Sequence, residues 1–66
     1  MQIQLNGQTR QIEPESTLAD LLKLEGLAEK RVAVEVNGEI VPRGLHGSQI
    51  LQPDDRVEIV HALGGG

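Results

Sequence analysis

Cysteine, phenylalanine, tyrosine and tryptophan are all missing from this 66-residue sequence. Without cysteine, the chain has neither disulfide bonds nor thiolate ligands for a metal site. Without aromatic side chains, the core has to be built from the 20 leucine, isoleucine and valine residues. A domain of this size buries only about 60% of the surface that its unfolded chain exposes. One helix packed on one sheet uses most of these side chains, so the composition disfavours an enzyme with a deep substrate cleft.

A basic patch and a long apolar run are missing as well. Six basic residues stand against ten acidic ones, the net charge is -4, and only Lys30 and Arg31 are adjacent basic residues. Nucleic-acid-binding surfaces concentrate positive charge and often add aromatic stacking platforms, so we expect no nucleic-acid partner. A membrane helix needs about 20 apolar residues, and a secretory signal needs a charged segment before an apolar one. The sequence shows neither pattern, and we expect a cytoplasmic protein with no membrane partner.

Alternating apolar residues and two Asn-Gly pairs predict two hairpins. Ile3 and Leu5 alternate with glutamines, which is typical of a strand with one buried face. Asn6-Gly7 and Asn37-Gly38 are strong hairpin signals because both residue types tolerate positive φ angles. A turn is also predicted at Pro53-Asp54-Asp55, and a short buried segment at Ile50-Leu51. The strands are predicted at residues 2–5, 8–12, 32–36, 39–41 and 57–62.

A short helix is predicted between the two hairpins. Thr17, with Asp20 three residues later, resembles a capping box, which marks the start of a helix. The apolar stripe of the helix is formed by three leucines at i, i+3 and i+4: Leu18, Leu21 and Leu22. Gly26 is predicted to end the helix because glycine adopts the left-handed conformation without a Cβ clash.

The order hairpin, helix, strand, short strands and final strand predicts an α+β domain. It matches the β-grasp, or ubiquitin-like, fold, in which a mixed sheet of four to five strands curls around one helix. We expect the β-grasp domain to span residues 1–63, and we expect residues 64–66 to form a flexible glycine-rich tail.

The predicted domain shows no constellation of catalytic or metal-binding residues. His46 and His61 are the only candidates for acid–base work or metal ligation, and a zinc site needs three or four ligands. We expect His46 to be a solvated loop residue and His61 to lie at the sheet edge. Asp54 and Asp55 are expected to cap and solvate a turn. The sequence therefore predicts no catalytic residue and no metal ligand within the domain.

The last three residues, Gly64, Gly65 and Gly66, directly follow the final predicted strand. A tail without side chains fits a narrow channel in the active site of another protein, where a Cβ atom would clash. It would present the Gly66 carboxylate, which is ionised at neutral pH. Because a carboxylate is a poor electrophile, acyl chemistry on it requires activation, for example as an acyl-adenylate. The sequence thus favours a carrier whose reactive group is the carboxylate of Gly66.

Several stretches of the sequence resemble motifs of one known family. Residues 36–43, Val-Asn-Gly-Glu-Ile-Val-Pro-Arg, are similar to a fairly specific stretch of the ThiS family, the sulfur carriers of thiamin thiazole biosynthesis. Residues 55–60, Asp-Arg-Val-Glu-Ile-Val, resemble its final strand, and the opening residues 3–7 fit as well. Gly65-Gly66 occupies the obligatory Gly-Gly end, which all ubiquitin-like carriers share. One departure is that Leu45 and His46 stand where many members carry a tryptophan.

The resemblance implies a function and a set of partners. A ThiF-type adenylyltransferase, using ATP and magnesium, would adenylate Gly66. Sulfur from a donor such as a cysteine desulfurase would then replace the adenylate and give a thiocarboxylate. That group would donate sulfur to thiazole synthase (ThiG). ATP and magnesium belong to the activating partner, and we expect this chain to bind no cofactor itself.

Strand alternation predicts where such partners dock. If Val57 and Ile59 face the core, the docking surface consists of outward residues and the start of the tail: Glu58, Val60, Ala62 and Leu63. Gly64 and Gly65 would thread the partner's active site. Scattered surface aliphatic residues are the ordinary alternative for such side chains.

The residues alone are also compatible with three other functions. A molybdopterin-type (MoaD-like) sulfur carrier has the same tail chemistry with another acceptor. A ubiquitin-like modifier would join Gly66 to a lysine. A β-grasp interaction module would carry the glycines incidentally, and removing Gly66 would then leave its function intact.

Overall fold

A computed structural model describes residues 1–61 of the chain. Two strands form the first hairpin, one helix follows, and three further strands complete the sheet. The elements are β1 (Gln2–Leu5), β2 (Gln8–Gln11), α1 (Leu18–Leu24), β3 (Val32–Val36), β4 (Glu39–Ile40), a 3₁₀ turn (Arg43–Leu45) and β5 (Arg56–His61). This order confirms the predicted α+β architecture. The predicted division into residues 1–63 and 64–66 falls partly outside the described residues.

The five strands form one mixed sheet in the order β2-β1-β5-β3-β4. Strand β5 is therefore the central strand, although it is the last in the chain. It pairs in parallel with β1 and antiparallel with β3, while both hairpins pair antiparallel. Two chain ends that are distant in sequence thus lie side by side at the centre of the sheet.

Both Asn-Gly pairs form the tight turns that the sequence predicts. Asn6 and Gly7 have φ angles of 50° and 82°, and Asn37 and Gly38 have 52° and 87°. Positive φ at both central residues is the mark of a type I′ turn, whose twist matches that of the flanking strands. The turn type therefore fixes the register of each hairpin.

Helix α1 begins with the predicted capping box. The Thr17 side chain accepts a hydrogen bond from the Asp20 N–H at 3.1 Å, and the Asp20 carboxylate accepts one from the Thr17 N–H at 2.9 Å. The Thr17 backbone N–H, first, and the Thr17 hydroxyl near the carboxylate, second, favour the charged form and hold the pKa of Asp20 below its ordinary value of 3.8. The first turn of the helix is thus stabilised by an ionised carboxylate.

The end of α1 is a Schellman motif centred on Gly26, which has a φ of 74°. The Gly26 N–H donates to the Lys23 carbonyl at 3.1 Å, and the Leu27 N–H donates to the Leu22 carbonyl at 2.7 Å. This pair of hydrogen bonds satisfies two carbonyls that would otherwise lack partners. Leu27 packs against the core next to the helix, which confirms the predicted end of the helix.

The core lies between α1 and the inner face of the sheet. It is formed by twelve buried aliphatic residues: Ile3, Leu5, Ile12, Leu18, Leu21, Leu22, Val34, Val36, Val41, Leu51, Val57 and Ile59. The predicted stripe of leucines on the helix is confirmed. The prediction for Ile50-Leu51 is confirmed only for Leu51, because Ile50 points outward and is 51% exposed. Ile50 forms an isolated β-bridge with Thr17, so the chain is extended there and the side chains of Ile50 and Leu51 point to opposite sides.

The loop after β4 differs from the prediction because His46 is buried. Its side chain is 7% exposed, and Nε2–H donates to the Val41 carbonyl at 3.0 Å. The carbonyl of His46 in turn accepts from the Ala19 N–H at 3.0 Å, in the first turn of α1. The expectation of a solvated loop histidine was therefore wrong. His46 joins the loop to the helix start, where backbone N–H groups lack partners within the helix.

Candidate functional site

The candidate site lies at the carboxyl end of β5, because residues 62–66 continue from His61. The predicted alternation along this strand is confirmed: Val57 and Ile59 are buried, Glu58 is exposed, and Val60 is 61% exposed. The predictions for Ala62, Leu63, Gly64, Gly65 and Gly66 lie outside the described residues. What the structure provides is the base from which the tail starts and the surface around it.

Asn6 holds β5 on the side of β1. Its Oδ1 accepts from the Ile59 N–H at 2.7 Å, and its Nδ2 donates to the Ile59 carbonyl at 3.3 Å. The Asn6 N–H also donates to the Val57 carbonyl at 2.9 Å. The side-chain amide therefore adds a rung to the parallel ladder at the point where the backbone of β1 turns away. Sequence reasoning assigned Asn6 only a turn role, since its partner lies 53 residues along the chain.

Asn37 holds β5 in the same way on the side of β3. Its Oδ1 accepts from the Arg56 N–H at 2.9 Å, and its N–H donates to the Arg56 carbonyl at 2.7 Å. Its Nδ2 donates to Oδ1 of Asp55 at 2.9 Å. The two turn asparagines thus fix β5 on both sides, one near its start and one near its middle.

Asp55 is a buried residue and not the solvated one that the sequence suggested. Its Oδ2 accepts from the Gln52 N–H at 2.8 Å, so the expected turn-capping role is confirmed. Its other oxygen accepts from Asn37, as described above. The carboxylate therefore connects the turn before β5 to the second hairpin, and no water-exposed acid pair forms with Asp54.

His61 also differs from the expectation of a sheet-edge residue. It pairs with Val32 at the end of β5, which is the central strand, although its side chain is exposed. Within residues 1–61, no group of three or more histidine, aspartate or glutamate side chains is arranged to hold a metal ion. His61 is the last residue that the structure describes before the tail.

The outer face of the sheet near this point combines acidic and apolar side chains. Glu58 of β5 lies directly opposite Glu35 of β3, and Val60 lies opposite Ala33. On the other side of β3, Glu35 is paired with Ile40, which is 62% exposed. A depression of about 210 Å³ is lined by Glu35, Gly38, Arg56 and Glu58. This face therefore places exposed apolar side chains beside charged ones.

Among residues 1–61, no helix has the length and hydropathy that crossing a bilayer requires.

Comparisons with known proteins agree with this architecture. Residues 3–66 match the sequence profile of the ThiS family. A protein of Magnetococcus marinus named thiazole synthase is 47% identical over 66 residues, which are the whole of this chain and 20% of that protein. The uncharacterized protein ycf40 of Porphyra purpurea is 33% identical over 64 residues, covering 97% of this chain and 90% of that protein. The chain thus spans about a fifth of the first relative's length and nearly all of the second's.

A solved structure shows the same fold. The crystal structure of the thiamine biosynthesis protein ThiS from Geobacter metallireducens superposes with a TM-score of 0.86. The two chains are 28% identical, and the match covers 100% of each. The mixed five-stranded sheet and its single helix are therefore an arrangement that a solved protein also adopts.

Proposed function

Since this chain belongs to the ThiS family, we propose that it is a sulfur carrier of thiamin biosynthesis and not an enzyme. The observation that carries this proposal is the family match over residues 3–66, a range that includes both the predicted docking surface and the glycine tail. The reactive group in this proposal is the α-carboxylate of Gly66 at a free C-terminus.

The proposed chemistry takes place in three steps within the active sites of partners. In the first step, a Gly66 carboxylate oxygen attacks the α-phosphorus of ATP in a ThiF-type adenylyltransferase, and pyrophosphate leaves. In the second step, a persulfide sulfur supplied through a cysteine desulfurase attacks the acyl carbon, and AMP leaves. In the third step, a thiol of the partner attacks the donor sulfur of the resulting acyl disulfide, so that the sulfur–sulfur bond breaks, a new disulfide forms in the partner and the thiocarboxylate is released. ATP and magnesium act in the partner.

Thiazole synthase is the proposed acceptor of the sulfur. Support comes from the Magnetococcus marinus protein, which carries that name and contains a segment 47% identical to this chain. A protein that carries this name and contains a segment similar to this chain links carrier and acceptor. We therefore propose a ThiG-type synthase as the protein that receives the thiocarboxylate.

The contribution of this chain is to present the tail from a fixed base. Five residues follow His61, and an extended chain of that length reaches at most about 17 Å. A partner that binds Gly66 in its active site must therefore approach the end of β5 closely. In this proposal Gly64 and Gly65 thread the partner, and Glu58, Val60, Ala62 and Leu63 contact its surface.

Intact mass spectrometry tests the proposal directly. The chain is incubated with a ThiF-type adenylyltransferase, ATP, magnesium and a sulfur donor. We expect a mass gain equal to the replacement of one oxygen by sulfur, and this gain cannot come from a thiol because the chain has no cysteine. A variant that lacks Gly64, Gly65 and Gly66 serves as the control and should stay unmodified. An unchanged wild-type mass, with a known carrier converted in the same mixture, would argue against the carrier function.

A further inference from the structure

Asn6 and Asn37 are the only asparagines of the chain, and glycine follows each of them. Asn-Gly is the dipeptide most prone to deamidation, because glycine has no side chain to hinder the attack of its backbone nitrogen on the asparagine side chain. The reaction consumes water and needs no enzyme. Each of the two hairpin turns is therefore a candidate site of spontaneous covalent modification.

Deamidation proceeds through a cyclic imide. The backbone nitrogen of the glycine attacks Cγ of the asparagine, a nitrogen–carbon bond forms, and the side-chain nitrogen takes up the proton and leaves as ammonia. Water then adds to one of the two ring carbonyls, and the bond from that carbonyl to nitrogen breaks. Opening at one carbonyl gives aspartate, and opening at the other gives isoaspartate, whose backbone runs through the former side chain. Either product carries one negative charge more than asparagine.

The fold holds both asparagine side chains away from this reaction. The amide of Asn6 is bonded to the N–H and the carbonyl of Ile59. The amide of Asn37 is bonded to the Arg56 N–H and to the Asp55 carboxylate. For the attack, Cγ has to rotate over the glycine nitrogen, which breaks these bonds and takes the backbone out of its type I′ turn. Deamidation of the folded chain therefore requires local opening of a hairpin.

The second hairpin opens more readily than the first. Strands β3 and β4 share two register pairs, whereas β1 and β2 share four, and both residues of β4 are exposed. The bond from the Arg56 N–H to Asn37 is exposed at the start of β5, while the bond from the Ile59 N–H to Asn6 is partly buried further along the strand. Segments with few buried contacts have the lowest free energies of opening. The side chain of Asn37 is therefore released for reaction more often than that of Asn6.

Asp55 determines what deamidation of Asn37 does to the fold. Nδ2 of Asn37 donates to Oδ1 of Asp55 at 2.9 Å, and Asp55 is buried. When a carboxylate replaces the amide, the donor is lost and two negative oxygens meet at hydrogen-bond distance, where each charge disfavours the other. Within residues 1–61, the one ion pair joins Arg10 to Glu25, so no basic side chain neutralises Asp55 there. The contact that fixes the start of β5 is thereby replaced by a repulsion.

We propose that Asn37 is a site of spontaneous deamidation, and that its new carboxylate moves away from Asp55 and releases the second hairpin from β5. Isoaspartate has the same effect, since its additional backbone carbon is incompatible with the type I′ turn. The modified protein is less stable than the original, and its fraction increases with the age of the protein. This modification is independent of the proposed function, because the reaction requires only water and this chain.

Incubation of the wild-type protein at mildly alkaline pH tests where the reaction occurs. Peptide mapping by mass spectrometry detects the exchange of NH₂ for OH and assigns it to Asn6 or Asn37. The rate at each site in the folded chain is divided by the rate at the same site in urea, where neither side chain is held. We expect this ratio to be about ten-fold higher for Asn37 than for Asn6. Equal ratios, a higher ratio for Asn6, or an intact Asn37 in folded protein while the chain in urea reacts would overturn the proposal.

The role of Asp55 is tested by exchanging the two groups. We expect Asn37→Asp to lower the midpoint of thermal unfolding by roughly 5–15 °C. Asn37→Asp combined with Asp55→Asn should recover most of this loss, because an amide at position 55 donates to the new carboxylate and keeps an oxygen for the Gln52 N–H. The Asp55→Asn single variant completes the cycle.

The double variant keeps this second test decisive. If Asn37→Asp fails to fold, cooperative unfolding of the double variant still supports the repulsion from Asp55. An Asn37→Asp variant that unfolds at the wild-type temperature would overturn the proposed effect on the fold. A double variant no more stable than Asn37→Asp would overturn it as well, because Asp55 would then not be the cause of the loss.

Discussion

Replacing Asn6 by alanine is expected to destabilise the domain strongly for a residue in a surface turn. The change removes two hydrogen bonds to Ile59, at 2.7 and 3.3 Å, each contributing about 1 kcal/mol. It also places alanine at a φ of 50°, where an L-residue is disfavoured by about 1 kcal/mol. The expected loss of unfolding free energy is therefore about 3 kcal/mol, a large part of the roughly 3–10 kcal/mol typical of a domain this size.

Urea and thermal unfolding followed by far-UV circular dichroism measure this loss, because the chain has no aromatic residue for fluorescence. The midpoint of thermal unfolding should fall by roughly 12–24 °C for a loss of that size. Asn6→Gly loses the same hydrogen bonds but tolerates the positive φ, so its loss should be smaller. Hydrogen exchange at the Ile59 amide should accelerate in both variants. A stability of Asn6→Ala within about 0.5 kcal/mol of wild type would refute the idea that the side chain extends the ladder.

Two further perturbations test other parts of the fold. His46→Ala removes a buried ring and its hydrogen bond to Val41, and it should lower the free energy of unfolding by about 2–4 kcal/mol. His61→Ala, at an exposed position, should change the free energy of unfolding by less than about 0.5 kcal/mol. Equal losses in the His46→Ala and His61→Ala variants would show that the burial of His46 does not contribute to stability. The pKa of Asp20 is lower in the folded state than its ordinary 3.8, so its contribution is complete above that value and is lost as the pH falls below it. The Asp20→Asn variant should therefore be less stable than wild type at neutral pH. Between neutral pH and about pH 3, its free energy of unfolding, measured by urea titration, should fall less than that of wild type. Equal falls in the two proteins would contradict this.

Features that depend on neighbouring residues could be predicted from the sequence. The capping box of Thr17 and Asp20 and the helix end at Gly26 are encoded within a few residues, and the structure confirms them. The two Asn-Gly turns are equally local, because their conformation follows from residue types that tolerate positive φ. Together with the alternation of valines in β3, these signals determine most of the fold.

Features that depend on the pairing of distant strands could not be predicted in this way. The opposition of Glu35 to Glu58 follows from the β3–β5 register, which joins residues far apart in the chain. The same is true of the bond between Asn37 and Asp55. His46 was mistaken for a solvent-exposed residue because its loop sequence, rich in glycine, gives no sign that it folds back onto α1. The residues of the tail were proposed from resemblance and chemistry, and their roles stay predictions.

The central position of β5 has a mechanical consequence. A force applied at His61 along the axis of this strand loads the hydrogen bonds on both sides together, as in shear, so the strand does not separate one bond at a time. The neighbouring strands β1 and β3 and the amides of Asn6 and Asn37 share that load. The fold of residues 1–61 should therefore resist opening when force is applied at His61.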